Sequence, residues 1–476
     1  MSVGPTTPLA QLPPLGPAGQ WAYERIIDLS IQNAQLRRQL EQKEAALQQS
    51  QALVQRLHEQ MEELERGAHR QAAPFRREEK ERNPNPARPG RKPGHVGAYR
   101  PKPDHIDQRI HEPLEGCPHC QGPLQDKRQL TQYIEEIPVV RPHVTELITE
   151  EGWCPRCQQE VYSTHPLQTG RAEGAAQVQL GPRALALATD LSRDKGLSMR
   201  KTVAVLQGHF GLKLTPGGLA LALQRVGRRA APEYEKMPAL LQSSAVVHAD
   251  ETGWWVGEPG WYLHVFATPT LTYYVVIDSR AGAVALAVLG DQFAGTLVSD
   301  CLNIYDDLNS SQQKCYSHHL KAVSVACQLH PQQGEGYLLQ IQALLRTAIC
   351  LKALQDSAEV HHFQLCVDQL KARAQALLEA PRADVQEEKV RRRLWKQRDH
   401  LFTFLERAEV PATNNLAERQ LRPGVIARKI SCGNKTPKGA LAWARVSSLA
   451  ATCRQKGESF LKLIIQLVRF QPTRGP

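Results

Sequence analysis

The stretch that decides the fold is SSAVVHADETGWW, residues 243–255. SSAVV has the composition of a buried strand, and two acids, Asp250 and Glu251, follow side by side. Neighbouring side chains on a strand point to opposite faces, so the two cannot easily share one ligand. Asp250 is the acid expected at a site. Glu251 is expected to hold the backbone or a basic group where the strand turns at Thr252–Gly253. His248 shares the side of Asp250 and either orients a phosphate or packs; packing is favoured.

The following segments supply partners. WYLHVFAT (261–268) and LTYYVVID (271–278) alternate around a short PT turn and read as a hairpin. RAGAVALAVLGD reads as a short helix, and GTLVSD as a strand ending at Asp300. YDDL and then KCYSHHLKAVSVA, a strand running into a helix, complete a pattern that matches the opening of a ribonuclease-H-like fold. In that topology the first and fourth strands are neighbours, and Asp250 and Asp300 converge. A third acid stands in ATNNLAERQLRP (412–423). Thr413 or Asn414 caps a helix there, and Glu418 shares a face with Asn414, Asn415 and Arg422. Arg419 and Arg422 suit phosphate contacts. Three convergent carboxylates fit Mg²⁺ (or Mn²⁺), with two ions about 3.5–4 Å apart serving the attacking and leaving oxygens.

Working outward, the chain has 476 residues and a formal charge of +11, which favours a polyanionic partner, nucleic acid first. No apolar run reaches the roughly 18 residues of a membrane span, and the N-terminus lacks the pattern of a secretory signal. Residues 1–20 are expected to be a disordered tail. Residues 21–66 carry a heptad pattern that includes Leu36 and Leu40. It reads as a coiled-coil helix joining two or more copies through residues 26–64, or as one amphipathic helix packed on the chain. Residues 67–105 form a basic linker in which RPGRKPG resembles an AT-hook, with Arg88, Arg91 and Lys92 directed at DNA. A tether touching phosphates without specificity is the alternative. Residues 106–166 hold CPHC (Cys117, Cys120) and CPRC (Cys154, Cys157), separated by strand-like YIEEIPVV and HVTELITE. This is the plan of a zinc ribbon with a structural Zn²⁺ held by four thiolates. Residues 167–240 read as helical, with a step at Thr215–Pro216 of helix-turn-helix length that suits either DNA binding or an ordinary small helical domain. The nuclease-like domain occupies 241–329 and, with C-terminal helices, 406–476. It is interrupted by a helical insertion, 330–405, whose basic faces hold DNA, cover the site, or are ordinary scaffold.

Taken with the heptad helix, RPGRKPGH, the CPHC…CPRC pair, HADET, DCLNIYDDL with CYSHH, and TNNLAERQLRPGVIARK, the chain resembles the large transposase of the bacterial insertion-sequence family numbered sixty-six, a DDE family. The resemblance runs from about residue 26 to the C-terminus. It implies a Mg-dependent polynucleotidyl transferase that recognises element ends in double-stranded DNA, cleaves a strand and joins it to target DNA. The family's acids fall on Asp250, Asp300 and Glu418, and its C-x-x-H pair on Cys315 and His318, which alone cannot complete a closed zinc site. Arg428 and Lys429, in the same last motif, are added to the DNA contacts. The resemblance also leaves room for a small accessory protein as a partner; the scattered cysteines suit a reducing cytoplasm, where a DNA-processing protein is expected at the nucleoid. Two positions depart from the family's usual residues: Cys301–Leu302 where it has Gly-Tyr, and His319–Leu320 where it has Ala and Arg. A catalytically degenerate DNA-binding regulator and a structure-specific nuclease without strand transfer are the competing functions. The three acids argue against the first, because a pure binder gains nothing from carboxylates that repel phosphates.

Overall fold

The computed structural model describes residues 32–33, 35–37, 39–40, 42–44, 94–97, 100–169, 178–306, 308–329, 336–355 and 360–469. Residues 1–97 and 98–476 form two separate units. In the first, the described residues between 32 and 44 are helical, and Leu36 and Leu40 are exposed. The tail 1–20, the remainder of the heptad segment, and Arg88, Arg91 and Lys92 lie outside the described residues.

The second unit begins with irregular chain up to a small antiparallel hairpin, β1 (Glu151–Cys154) and β2 (Gln159–Tyr162), which carries the second CxxC in its turn. The strands expected at 133–140 and 143–150 do not form a ladder. Pro138 and Pro142 remove amide donors from the middle of that run, and Ile134, Ile137, Val139, Val144 and Ile148 are all exposed.

The helical region follows the expected breaks. α1 (Pro182–Thr189) continues into a π-helical turn over Asp190–Asp194. α2 (Met199–Phe210) stops at Gly211 with φ 66°, and α3 (Pro216–Arg229) starts where the Thr215 hydroxyl accepts from Gly218 N at 3.0 Å. Ala188, Val203, Leu206, Leu219 and Leu223 make a small core between these helices. Two short helices, α4 (Ala231–Glu235) and α5 (Met237–Gln242), lead into the main sheet.

That sheet contains β3 (Val246–Val256), β4 (Glu258–Thr268), β5 (Leu271–Ile277), β6 (Thr296–Ser299) and β7 (Ser311–Lys314) in the order β5-β4-β3-β6-β7. β4 is antiparallel to β3 and β5, whereas β6 runs parallel to β3 and β7 parallel to β6. α6 (Ala283–Leu289) makes the crossover from β5 to β6. β3 does not turn at Thr252–Gly253 as its sequence suggested; it pairs with β4 through Trp254↔Trp261 and, after a register shift, at Val256↔Glu258, and the chain turns at Gly257. Trp254 explains the extra length. Its indole is buried, lies 4.7 Å from the Trp443 ring and donates to Asn434 Oδ1 at 2.9 Å, and only a continued strand delivers it there.

The segment between β7 and the last acid is helical, as expected: α7 (Tyr316–Leu329), α8 (Tyr337–Ala353), α9 (Val360–Glu379), α10 (Val385–Lys396) and the short α11 (Thr403–Glu406). Ile341, Leu345, Val367 and Leu394 form a core with Tyr316 at the start of α7, and it reaches the sheet at Val298. Three helices close the chain. α12 (Asn415–Ser431) crosses β3 and β4, α13 (Pro437–Lys456) lies along β5, and α14 (Phe460–Val468) packs on α1. α3 is seated on α13 so closely that a Cβ on Gly227 would come within 2.6 Å of Ala442 Cβ. No helix among the described residues is long and apolar enough to cross a membrane.

α13 also serves the outer edge of the sheet. β5 has a neighbour on one side only, and its remaining polar groups turn to side chains. Tyr274 N donates to Ser448 Oγ at 2.9 Å, Thr272 N donates to Thr452 Oγ1 at 3.1 Å, and the Tyr234 hydroxyl donates to Tyr274 O at 2.7 Å. Ser448→Ala leaves a buried amide without an acceptor and is expected to lower stability by about 1–3 kcal/mol, read as a shift in the urea midpoint.

Candidate active site

The site forms where β3 parts from β6. Their ladder ends at His248↔Val298, while β3 continues beside β4 alone. Alternation then assigns the side chains of β3 to two faces. On one face His248, Asp250, Thr252 and Trp254 meet α12 and the turn beyond it. His248 Nδ1 lies 3.1 Å from Asn414 Oδ1, and Arg428 donates to Thr252 Oγ1 at 3.2 Å and to Gly253 O. On the other face Glu251 is buried, and its Oε1 takes both Nε and Nη2 of Arg280, at 3.2 and 3.0 Å. The Tyr305 hydroxyl donates to its Oε2 at 2.7 Å. The two adjacent acids thus have different surroundings: one is held by a guanidinium and a phenol, the other faces carboxylates.

Asp300 follows directly on β6. Asp250 Oδ1 accepts from Glu251 N at 2.9 Å, and Asp300 Oδ1 from Leu302 N at 3.0 Å, leaving Oδ2 of each for a ligand. Burial pushes Asp250 up to about 7, and the charges of Glu251, Asp300 and Glu418 push in the same direction against the one backbone bond. Burial also raises Asp300, again with Glu251 adding to it. Asp250 meets no positive charge, whereas His318 and Lys314 partly offset Asp300, and hard carboxylate oxygens suit a divalent ion such as Mg²⁺. The three acids share one electrostatic neighbourhood without forming a tight cage. Among the described residues, the trio whose donor atoms all lie within 4.8 Å of one another is Cys315, His318 and Glu418.

Glu418 sits in the first turn of α12. Asn414 occupies the cap position, but its side chain makes no cap bond. It is fully buried and donates Nδ2 to Ala249 O at 2.8 Å. Its backbone N–H goes to Cys315 Sγ at 3.2 Å. Burial opposes ionisation of Cys315, yet His318 and the Asn414 N–H hold its thiol below the usual range. His318 Nδ1 lies 3.9 Å from Glu418 Oε1. Burial lowers His248 to about 4, so its imidazole is neutral; with Asn414 Nδ2 committed to Ala249, Nδ1–H of His248 is the donor to Oδ1. Asn415, Arg419, Arg422 and Lys429 lie on the exposed side of α12, whereas Arg428 is engaged with β3.

Arg280, Tyr305 and a second buried group, Lys314, escaped the reading of the sequence. Lys314 at the end of β7 is fully buried, 3.2 Å from Asp306 Oδ1 and 3.3 Å from Ser299 Oγ. Asp306 also pairs with Lys396 of α10 at 2.8 Å, so this acid ties the insertion to the sheet. YDDL was a visible signal for Tyr305 and Asp306; nothing local marks Arg280. The two departures from the usual family residues touch each other: Cys301 Sγ lies 3.5 Å from His319 Nε2, and Cys301 is next to Asp300.

Each CxxC forms a tight turn followed by a left-handed residue, Gln121 at φ 58° and Gln158 at φ 50°. Backbone N–H groups depress the first thiol of each, that of His119 for Cys117 and that of Cys157 for Cys154. The pairs are not brought together into one cluster of donors among the described residues.

The sequence profile described as "Transposase IS66 family" matches residues 177–442, from the helical region through the sheet and insertion into α13. The "Uncharacterized protein y4jO" of Sinorhizobium fredii is 37% identical over 73 residues, which is 15% of this chain and 23% of that protein. The aligned part thus spans under a quarter of that relative.

The raised pKa of Asp250 has a definite sign. In the metal-free protein its contribution to stability is fully present below the ordinary value of 3.8 and is lost as pH rises through about 7. Asp250→Asn removes that loss. In EDTA the variant is expected to be more stable than wild type at pH 8, by up to about 4 kcal/mol, and to converge with it toward pH 4. Calorimetric melting at both pH values measures the difference.

Proposed function

The chain belongs to the IS66 transposase family, and from that premise we propose that it is a DDE transposase that binds element ends, cleaves a strand and joins it to target DNA. The observation that carries this reading is that Asp250 on β3, Asp300 just past the neighbouring parallel strand β6, and Glu418 on the helix that crosses β3 share one electrostatic neighbourhood. The strand order, antiparallel on one side of β3 and parallel on the other, supports a ribonuclease-H-like core.

Asp250, Asp300 and Glu418 would hold Mg²⁺ or Mn²⁺. Such ions supply Lewis acidity and a counter-charge for the transferring phosphate. The chain's own residues do the positioning. Asn414 fixes the start of α12 against β3, and with it the approach of Glu418 to Asp250. His318 stands beside Glu418 and limits how that carboxylate turns. Glu251, clamped by Arg280 and Tyr305, anchors the strand from its far side and leaves Asp250 to face the substrate. Exposed Arg419, Arg422 and Lys429 suit phosphates along α12. The matching CxxC turns suit a structural Zn²⁺ site in which Cys117, Cys120, Cys154 and Cys157 would be the four ligands. The heptad segment would join copies so that two element ends are held together. With this function goes a cytoplasmic location at the nucleoid, as part of the same proposal.

The test uses labelled element-end DNA, Mg²⁺ and a target plasmid. Asp250→Asn is expected to lose strand cleavage by at least about a thousandfold. Glu251→Gln, corrected for the fraction folded, is expected to retain a measurable rate. Equal loss from both changes would overturn the assignment. Cleavage without joining by wild type would instead favour a nuclease.

A further inference from the structure

A groove of about 480 Å³ lies between α7 and α10 of the helical insertion. His318 stands at one end, where it also faces Glu418. Val325 and Leu329 contribute an apolar floor, and Lys321, Lys389 and Arg393 contribute positive charge. No carboxylate lines it. The nearby acids are engaged elsewhere: Glu387 pairs with Arg382, and Glu388 with Arg391 and Arg392. Among the described residues no ion pair involves Lys321, Lys389 or Arg393, and Arg393 Nε is buried without a hydrogen-bond partner. Arg393 also reaches Cys301 and His319, next to Asp300.

Three like charges gathered without a counter-ion repel one another, and a polyanion relieves that repulsion. An apolar floor between the cations is suited to sugar and base, while the cations meet phosphates. The groove also opens beside the carboxylates. We propose that it holds the single strand of DNA that leaves the candidate catalytic acids, with backbone phosphates on Lys321, Lys389 and Arg393. The inference rests on the DNA-processing reading above and gives the insertion a binding role within it.

The test is equilibrium binding of the full-length protein to a labelled, mixed-sequence single strand of about 20 nucleotides, in EDTA, across a range of salt. Both lysines are exposed, so the Lys321→Gln/Lys389→Gln variant does not threaten the core. The variant is expected to bind about tenfold more weakly at low salt, with the slope of log affinity against log salt reduced by about 1.4. Unchanged affinity and slope would overturn the proposal, and so would an altered oligomeric state with DNA binding intact, which would assign the groove to a protein partner. Because this readout involves no cleavage, failure of the catalytic assignment and failure of the groove give different results.

Discussion

The site depends on one buried amide. Asn414 is wholly inaccessible and bonds to three parts of the chain: the Ala249 carbonyl, the His248 ring and, through its backbone N–H, the Cys315 sulfur. It does so at the level where the β6 ladder has ended and a β3 carbonyl would otherwise be buried without a donor. An unpaired buried polar group costs more than a made bond returns, so the geometry of this junction is narrowly specified. The strand bearing Asp250, the start of the helix bearing Glu418 and the junction of β7 with α7 are all referenced to the same residue.

That junction accounts for the unequal surroundings of two adjacent acids. Glu251 has its charge met within the protein by Arg280 and Tyr305, and it holds the sheet to the segment after β6. Asp250 finds only like charges and one backbone donor. A buried carboxylate with a guanidinium partner is a structural element, whereas one facing other carboxylates stores an electrostatic demand that an external cation satisfies. The distinction lies in the partners and not in the residue type.

Much of this was legible in the sequence. Two-residue alternation marked β4 and β5, apolar runs marked β3 and β6, and Thr215–Pro216 marked the start of α3. The neighbouring placement of Asp250 and Asp300 followed from strand order alone. The other features depend on pairings across large separations, which local periodicity does not encode. Asn414 reads as a helix cap, yet its amide serves a strand 165 residues earlier. Arg428 reads as a phosphate contact and instead binds Thr252, 176 residues away. β3 outlasts the Thr252–Gly253 signal because burying Trp254 against Trp443 outweighs a local turn preference. In the other direction, the β-branched runs around 133–150 look like strands but lack the partner that would make them so.

The hydroxyls along α13 bear on how the molecule is made. Ser448 meets Tyr274 across 174 residues of sequence, so β5 leaves the ribosome long before its cover exists. During that interval the strand presents open backbone groups, the template on which a second nascent chain can add a strand. Synthesis of the last helices therefore ends a period of exposure. A chain cut short before residue 437 would keep the candidate acids and still carry an open seam along its sheet, so its fate would be decided by self-association before chemistry.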